Sequence, residues 1–121
     1  MACRVLIVED EKILAKNIQQ FLAYHDYETQ VAGTCEEGLR QAREFRPDVV
    51  LLDIHLPDGD GRQILPLLQQ IDESVGIIII TAFGSVELAV DAMAGGATNY
   101  VEKPVALGTL KILIERLIKE R

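Results

Sequence analysis

Five short strand-like runs alternate along the chain with segments whose apolar positions recur at helical spacing. Cys3–Val8 carries Val5-Leu6-Ile7-Val8, Val49–Leu52 is wholly apolar, and so is Ile77–Ile80. Such uninterrupted runs fit strands of a parallel sheet buried on both faces. Glu28–Ala32 is more polar and suits a sheet edge; Asn99–Glu102 is the fifth run. The segment from Glu11 to about Tyr24 places Leu14, Ile18, Phe21 and Leu22 on one helical face. Thr34-Cys35-Glu36-Glu37 has capping-box form and opens a helix to about Phe45, which Pro47 helps to stop. A loop with Pro57, Gly59 and Gly61 leads to a helix of roughly Arg62 to Gln70. Pro66 lies inside it and removes a backbone donor, which predicts an early kink. Ser85–Ala94 forms a fourth helix ended by Gly95-Gly96, and a fifth begins near Leu107.

Strands separated by helix-length segments imply right-handed parallel crossovers with helices on both faces of the sheet. Two of the buried strands end in acids: Glu9-Asp10 follow the first and Asp53 the third. Parallel sheets bind ligands beyond the carboxyl ends of their strands. For these acids to meet, the first and third strands must be adjacent, which is the flavodoxin-like order 2-1-3-4-5. Crowded carboxylates repel and resist ionising, so their clustering makes sense around a hard cation such as Mg²⁺. That cation could draw in a phosphoryl group.

The 121 residues fit one domain, read over 1–121, and 49% hydrophobic with 26% charged residues indicates a globular core. A formal net charge of −7 argues against direct binding to nucleic acid or anionic lipid. No stretch approaches the length of a membrane span, and charged Arg4 and Glu9-Asp10-Glu11 interrupt the N-terminal apolar run as no signal peptide would. Cys3 and Cys35 lack metal-ligand spacing and read as small buried hydrophobes in a reducing compartment. A cytoplasmic location is expected.

The chain resembles the receiver domain of two-component response regulators. The resemblance rests on Glu9-Asp10, Asp53, Thr81-Ala82 and Lys103-Pro104, each at the end of its own strand, and covers essentially the whole chain. Thr81-Ala82-Phe83-Gly84-Ser85, Ala92-Met93-Ala94-Gly95-Gly96-Ala97 and Asn99–Pro104 look most like receivers of nitrogen-regulator-type, sigma-54-dependent activators. The resemblance implies a switch that catalyses its own phosphorylation and slow dephosphorylation without being a conventional turnover enzyme. Asp53 would be the phosphoacceptor, taking the group from a sensor histidine kinase. Asp10, Asp53 and the backbone carbonyl of His55 would hold Mg²⁺, with Glu9 assisting. Lys103 would contact the carboxylate and then a phosphoryl oxygen, Thr81 would offer a hydroxyl, and Ala82 would leave room. A cis peptide is implied before Pro104, and Thr81 and Tyr100 would act as the switch.

His55 and Phe83 stand where attacking water must pass, so a bulky Phe83 would shield the phosphoryl group. Leu110, Ile112, Leu113, Ile114, Leu117 and Ile118 exceed a single inward stripe, and Val86, Leu88, Ala89, Val90 and Met93 add to them. The surplus fits a homodimer through the fourth helix, fifth strand and fifth helix, or else a helix that packs more deeply or on a downstream segment; the chain reads as a receiver excised from a transcription regulator with an output domain, or as a stand-alone receiver. A flavin or nucleotide module fits worse, because Glu9-Asp10-Glu11 occupy the first loop where phosphate would need glycines. A phosphatase with an aspartyl nucleophile would need a second Asp where His55 stands. A degenerate receiver would lack a site residue, and none is missing.

Overall fold

Alternation along each central strand divides the core into two apolar layers. The structure is a computed structural model; it describes residues 2–82 and 86–121, and of residues 86 and 89 the backbone alone. In β1 (Arg4–Val8), Leu6 and Val8 face one layer while Val5 and Ile7 face the other. β3 (Val49–Asp53) and β4 (Gly76–Ala82) do the same with Val50, Leu52, Ile77 and Ile79 against Val49, Leu51, Ile78 and Ile80. All of these are fully buried. The more polar β2 (Glu28–Ala32) and β5 (Asn99–Lys103) form the edges. The sheet is parallel throughout, in the order β2-β1-β3-β4-β5, which is the expected flavodoxin-like arrangement.

Helices α1 (Lys12–Tyr24) and α5 (Leu107–Glu120) cover one layer through Ala15, Ile18, Leu22, Leu110 and Ile114. On the other side, α2 (Cys35–Phe45), α3 (Leu65–Ile71) and α4 (Val86–Ala94) contribute Cys35, Ala42, Leu65, Leu68 and Ala92. In α1, Ala15 takes the innermost position with Ile18 and Leu22, while Leu14 and Phe21 flank it half-buried. Among the described residues no helix is long and apolar enough to cross a membrane.

The structure differs from expectation in four places. The helix expected over Arg62–Gln70 is two pieces: a 3₁₀ turn at Gly61–Ile64, then α3. Pro66 therefore falls in the first turn of α3, where its missing N–H has no helical acceptor to lose, instead of kinking a longer helix. The loop after β3 contains a two-residue antiparallel ladder joining His55–Leu56 to Gly59–Asp60. The apolar surplus of α5 is mostly absorbed by packing: Leu113, Leu117 and Ile118 lie against the core, leaving Ile112 at 54% exposure. Cys35 is buried as expected, whereas Cys3 is half-buried. The expected helix start at Ser85 lies outside the described residues.

The N-terminus of α2 is capped twice. Thr34 Oγ1 accepts from the Glu37 N–H at 3.0 Å, as the capping box predicts. Asp58, brought in by the loop after β3, accepts from the N–H groups of Cys35 at 2.8 Å and Glu36 at 3.1 Å. These backbone bonds hold the Asp58 carboxyl below its usual range. A depressed carboxylate pKa stabilises the fold above the unfolded value of about 3.9 and ceases to do so as pH falls through the folded value. Asp58→Ala should therefore lower the melting temperature near neutral pH, with the gap from wild type narrowing as pH falls below the unfolded value of about 3.9. A gap independent of pH in thermal unfolding would contradict the capping role.

Candidate functional site

The register of the sheet brings four strand ends together. Val8 pairs with Leu52, so Glu9 emerges level with Asp53. Asp53 pairs with Ile80, which places Thr81 one residue beyond, and Ala82 pairs with Lys103. Glu9 and Asp53 are almost completely buried and Thr81 is fully buried, whereas Asp10 is exposed. Oxygen atoms of Glu9, Asp10 and Asp53 all lie within 4.8 Å of one another. The backbone of Glu9 is fixed by its N–H bond to the Ala32 carbonyl at 2.9 Å.

Lys103 reaches into this cluster from the end of β5. Its ammonium donates to Asp53 Oδ2 at 3.4 Å and to the carboxylate of Glu11. It also lies 2.9 Å from Glu9 Oε1. Among the described residues no other group meets this buried oxygen. The other oxygen of Glu9 accepts from the Glu11 N–H at 3.0 Å, and Asp53 Oδ1 accepts from the His55 N–H at 3.2 Å. Burial pushes the Glu9 carboxyl up to about 7, helped by the charge of Asp53 and opposed by the Glu11 N–H and Lys103. For Lys103, burial acts downward, but Glu11, Glu9 and Asp53 together outweigh it and hold the ammonium above its ordinary range.

The remaining expected residues sit around this core. The Lys103-Pro104 bond is cis, as the resemblance implied. Ala82 and Pro104 are exposed at the rim. Among the described residues the Thr81 hydroxyl makes one long contact, 3.4 Å, to the Ala82 carbonyl. Tyr100 points outward at 40% exposure. Phe83 lies outside the described residues.

Two contributors escaped the sequence reading. Glu11 looked like the start of a helix, and only its contact with Lys103, 92 positions away, brings it to the site. Gly61 looked like loop punctuation. A Cβ there would fall 2.0 Å from the backbone carbonyl oxygen of Asp53, so only glycine lets the returning chain pass behind the carboxylate. Its N–H also bonds the Ile54 carbonyl at 2.7 Å.

An all-oxygen donor set, with a buried Glu9 oxygen met by Lys103 alone among the described residues, suits a hard cation. The chain also matches the family described as "Response regulator receiver domain" over residues 5–115. It belongs to this family.

The receiver is 34% identical over 116 residues to Regulatory protein AtoC of Escherichia coli (strain K12), which covers 96% of this chain and 25% of AtoC. It is 32% identical over 118 residues to the Transcriptional regulatory protein PrrA of Mycobacterium leprae, covering 98% of this chain and 51% of PrrA. This chain thus spans from a quarter to about half the length of these relatives. The crystal structure of the receiver domain of NtrX from Brucella abortus superposes with a TM-score of 0.90 at 27% identity, covering 97% of this chain and 99% of that one. As a two-component receiver, the chain has a phosphorylation-dependent signalling role. Receivers generally bind Mg²⁺ at an acidic pocket, and Glu9, Asp10 and Asp53 form an acidic cluster here.

The raised pKa of Glu9 has a measurable consequence. Unfolded, the group titrates near 4.3; folded, it does so at about 7. The folded protein holds the extra proton between these values, so this group's contribution to stability declines as pH rises through about 7. In metal-free protein, Glu9→Gln should raise the melting temperature at about pH 8, with the advantage shrinking toward pH 5. A lower melting temperature for the variant at the higher pH would show that pairing with Lys103 outweighs burial.

Proposed function

We propose that this receiver, read over residues 1–121, takes a phosphoryl group from the phosphohistidine of a sensor kinase onto Asp53. The observation that carries the reading is the buried Asp53 carboxylate, within 4.8 Å of the oxygens of Glu9 and Asp10 and 3.4 Å from the Lys103 ammonium. Asp10, Asp53 and the backbone carbonyl of His55 would hold Mg²⁺, with Glu9 assisting. When bound, Mg²⁺ neutralises charge developing on the phosphoryl oxygens. An Asp53 oxygen forms the new bond to phosphorus as the phosphorus–nitrogen bond of the donor breaks, and the electron pair stays on the imidazole. The transition state is loose, so the protein's task is mainly positioning and electrostatic stabilisation. Lys103 neutralises one phosphoryl oxygen, the Thr81 hydroxyl meets another, and the small side chain of Ala82 leaves space. Attack by water then returns Asp53 and releases phosphate.

This chemistry is tested by intact mass after exposure to acetyl phosphate. The wild type should gain one phosphoryl group only with a divalent cation, and Asp53→Asn should gain none. Phosphate uptake by Asp53→Asn at the wild-type rate would remove Asp53 from its role. Asp10→Asn should weaken Mg²⁺ affinity in a direct titration.

The output is proposed to run through Thr81 and Tyr100 to the face formed by α4, β5 and α5. Val90, Met93, Tyr100 and Ile112 are large side chains exposed on those elements, which supports a second receiver as partner, in a symmetric dimer. The greater length of the relatives supports an output domain, and the name of PrrA supports one acting in transcription; the regulator is proposed to be cytoplasmic. Sedimentation with and without beryllofluoride should show dimer formation in the activated state, with chemical-shift changes around Tyr100. A monomer in both states, with Tyr100 unmoved, would discard the dimer and the switch but not the phosphorylation chemistry.

A further inference from the structure

Glu11 occupies the N-cap of α1, the position whose side chain ordinarily bonds a free helix N–H. Its backbone carbonyl accepts the first intrahelical bond, from the Ala15 N–H at 2.9 Å. Among the described residues its side chain makes no capping bond. The carboxylate turns instead to Lys103, whose ammonium it contacts more closely than Asp53 does.

We propose that Glu11 is a positioning residue that holds the Lys103 ammonium back from Asp53 and so limits how readily Asp53 acquires and keeps a phosphoryl group. This inference rests on the assignment of Asp53 as phosphoacceptor.

The Lys103 ammonium has three N–H donors. Two donate to Glu11 and Asp53, and the third is taken up by Glu9 Oε1 at 2.9 Å, so none is spare. A phosphoryl oxygen arriving at Asp53 needs a donor from the same ammonium, so an existing partner must yield. Glu9 is fully buried and has no water to replace the lost charge. The Glu11 side chain is 58% exposed, so water can solvate it once Lys103 leaves. Glu11 is therefore the partner that yields, and its attraction is the cost of moving Lys103 onto the phosphoryl group. Because the pair is half open to solvent, that cost is modest.

Removing the carboxylate would also reduce repulsion toward any anionic donor, and the two effects must be separated. Glu11→Gln removes both charge and pairing. Glu11→Asp keeps the charge but draws it back by one methylene from Lys103. The test measures the rate of phosphorylation by acetyl phosphate with Mg²⁺ for wild type, Glu11→Gln and Glu11→Asp. It also records the ¹⁵N resonance of the Lys103 side chain in metal-free protein. Both variants should be phosphorylated about 2- to 5-fold faster than wild type, a size suited to a half-exposed ion pair. Both should also shift the Lys103 resonance and reach a higher steady-state phosphorylated fraction. A wild-type rate in Glu11→Asp beside a raised rate in Glu11→Gln would assign the effect to net charge and overturn the inference. Rates at or below wild type in both variants would overturn it too, as would an unmoved Lys103 resonance. A wild type that takes no phosphoryl group would refute the Asp53 assignment and the inference together, whereas a phosphorylated wild type with unaltered variants refutes the inference alone.

Discussion

The pairing of Val8 with Leu52 across β1 and β3 sets the geometry of everything at the carboxyl edge of the sheet. Both side chains are fully buried in the same apolar layer, so the register is held by packing. A slip of one residue would turn Val5 and Ile7 into the layer that receives Leu6 and Val8, exchanging every inward contact. The same register sets Glu9 level with Asp53. The distance between the functional carboxylates is therefore fixed by aliphatic side chains that take no part in the chemistry, and the rigidity of a close-packed interior is passed directly to the site.

That placement opposes the ordinary preference of charges for water. Glu9 is raised to about 7 chiefly by burial, and among the described residues one of its oxygens meets Lys103 alone. Lys103 offsets part of the electrostatic cost, but a single ammonium faces Glu9, Glu11 and Asp53 at once. An interior of uninterrupted Val, Leu and Ile strands can carry such a local defect, because each fully buried side chain of this kind contributes about 1.5–3 kcal/mol. The excess of negative charge is what makes the cluster receptive to a hard cation. Stability and function thus pull in opposite directions at Glu9.

Most of the fold was legible because it follows from local patterns. Apolar runs marked β1, β3 and β4, Thr34 marked the start of α2, and Gly95-Gly96 marked the end of α4. The strand order followed from a chemical demand, that Glu9-Asp10 and Asp53 meet. The missed features depend on partners remote in the chain. Pro66 could be seen to disfavour a helix interior, yet only the loop geometry showed that α3 begins at Leu65. Asp58 reads as a turn residue until α2, 22 to 23 positions earlier, presents its open N–H groups. The apolar surplus of α5 was misjudged because periodicity cannot show how broad the facing surface is; Leu113, Leu117 and Ile118 all find contacts.

The loop after β3 carries a further consequence. Gly61 passes directly behind Asp53, and the next residue, Arg62, donates to Asp60 through Nε at 3.0 Å and to Asp91 on α4 through Nη1 at 2.7 Å. One guanidinium thus joins the segment behind Asp53 to a helix of the proposed output face. Gln69 adds a second tie, donating to the Gly96 carbonyl just past α4 at 3.2 Å. Both contacts are polar, and Asp91 is largely exposed. Bonds of this kind exchange with water at small net cost, whereas the apolar packing of Ala92 against the sheet does not. The apolar contacts of α4 therefore hold it on the core, while its ties to Arg62 and to Gln69 on α3 are weak enough to rearrange.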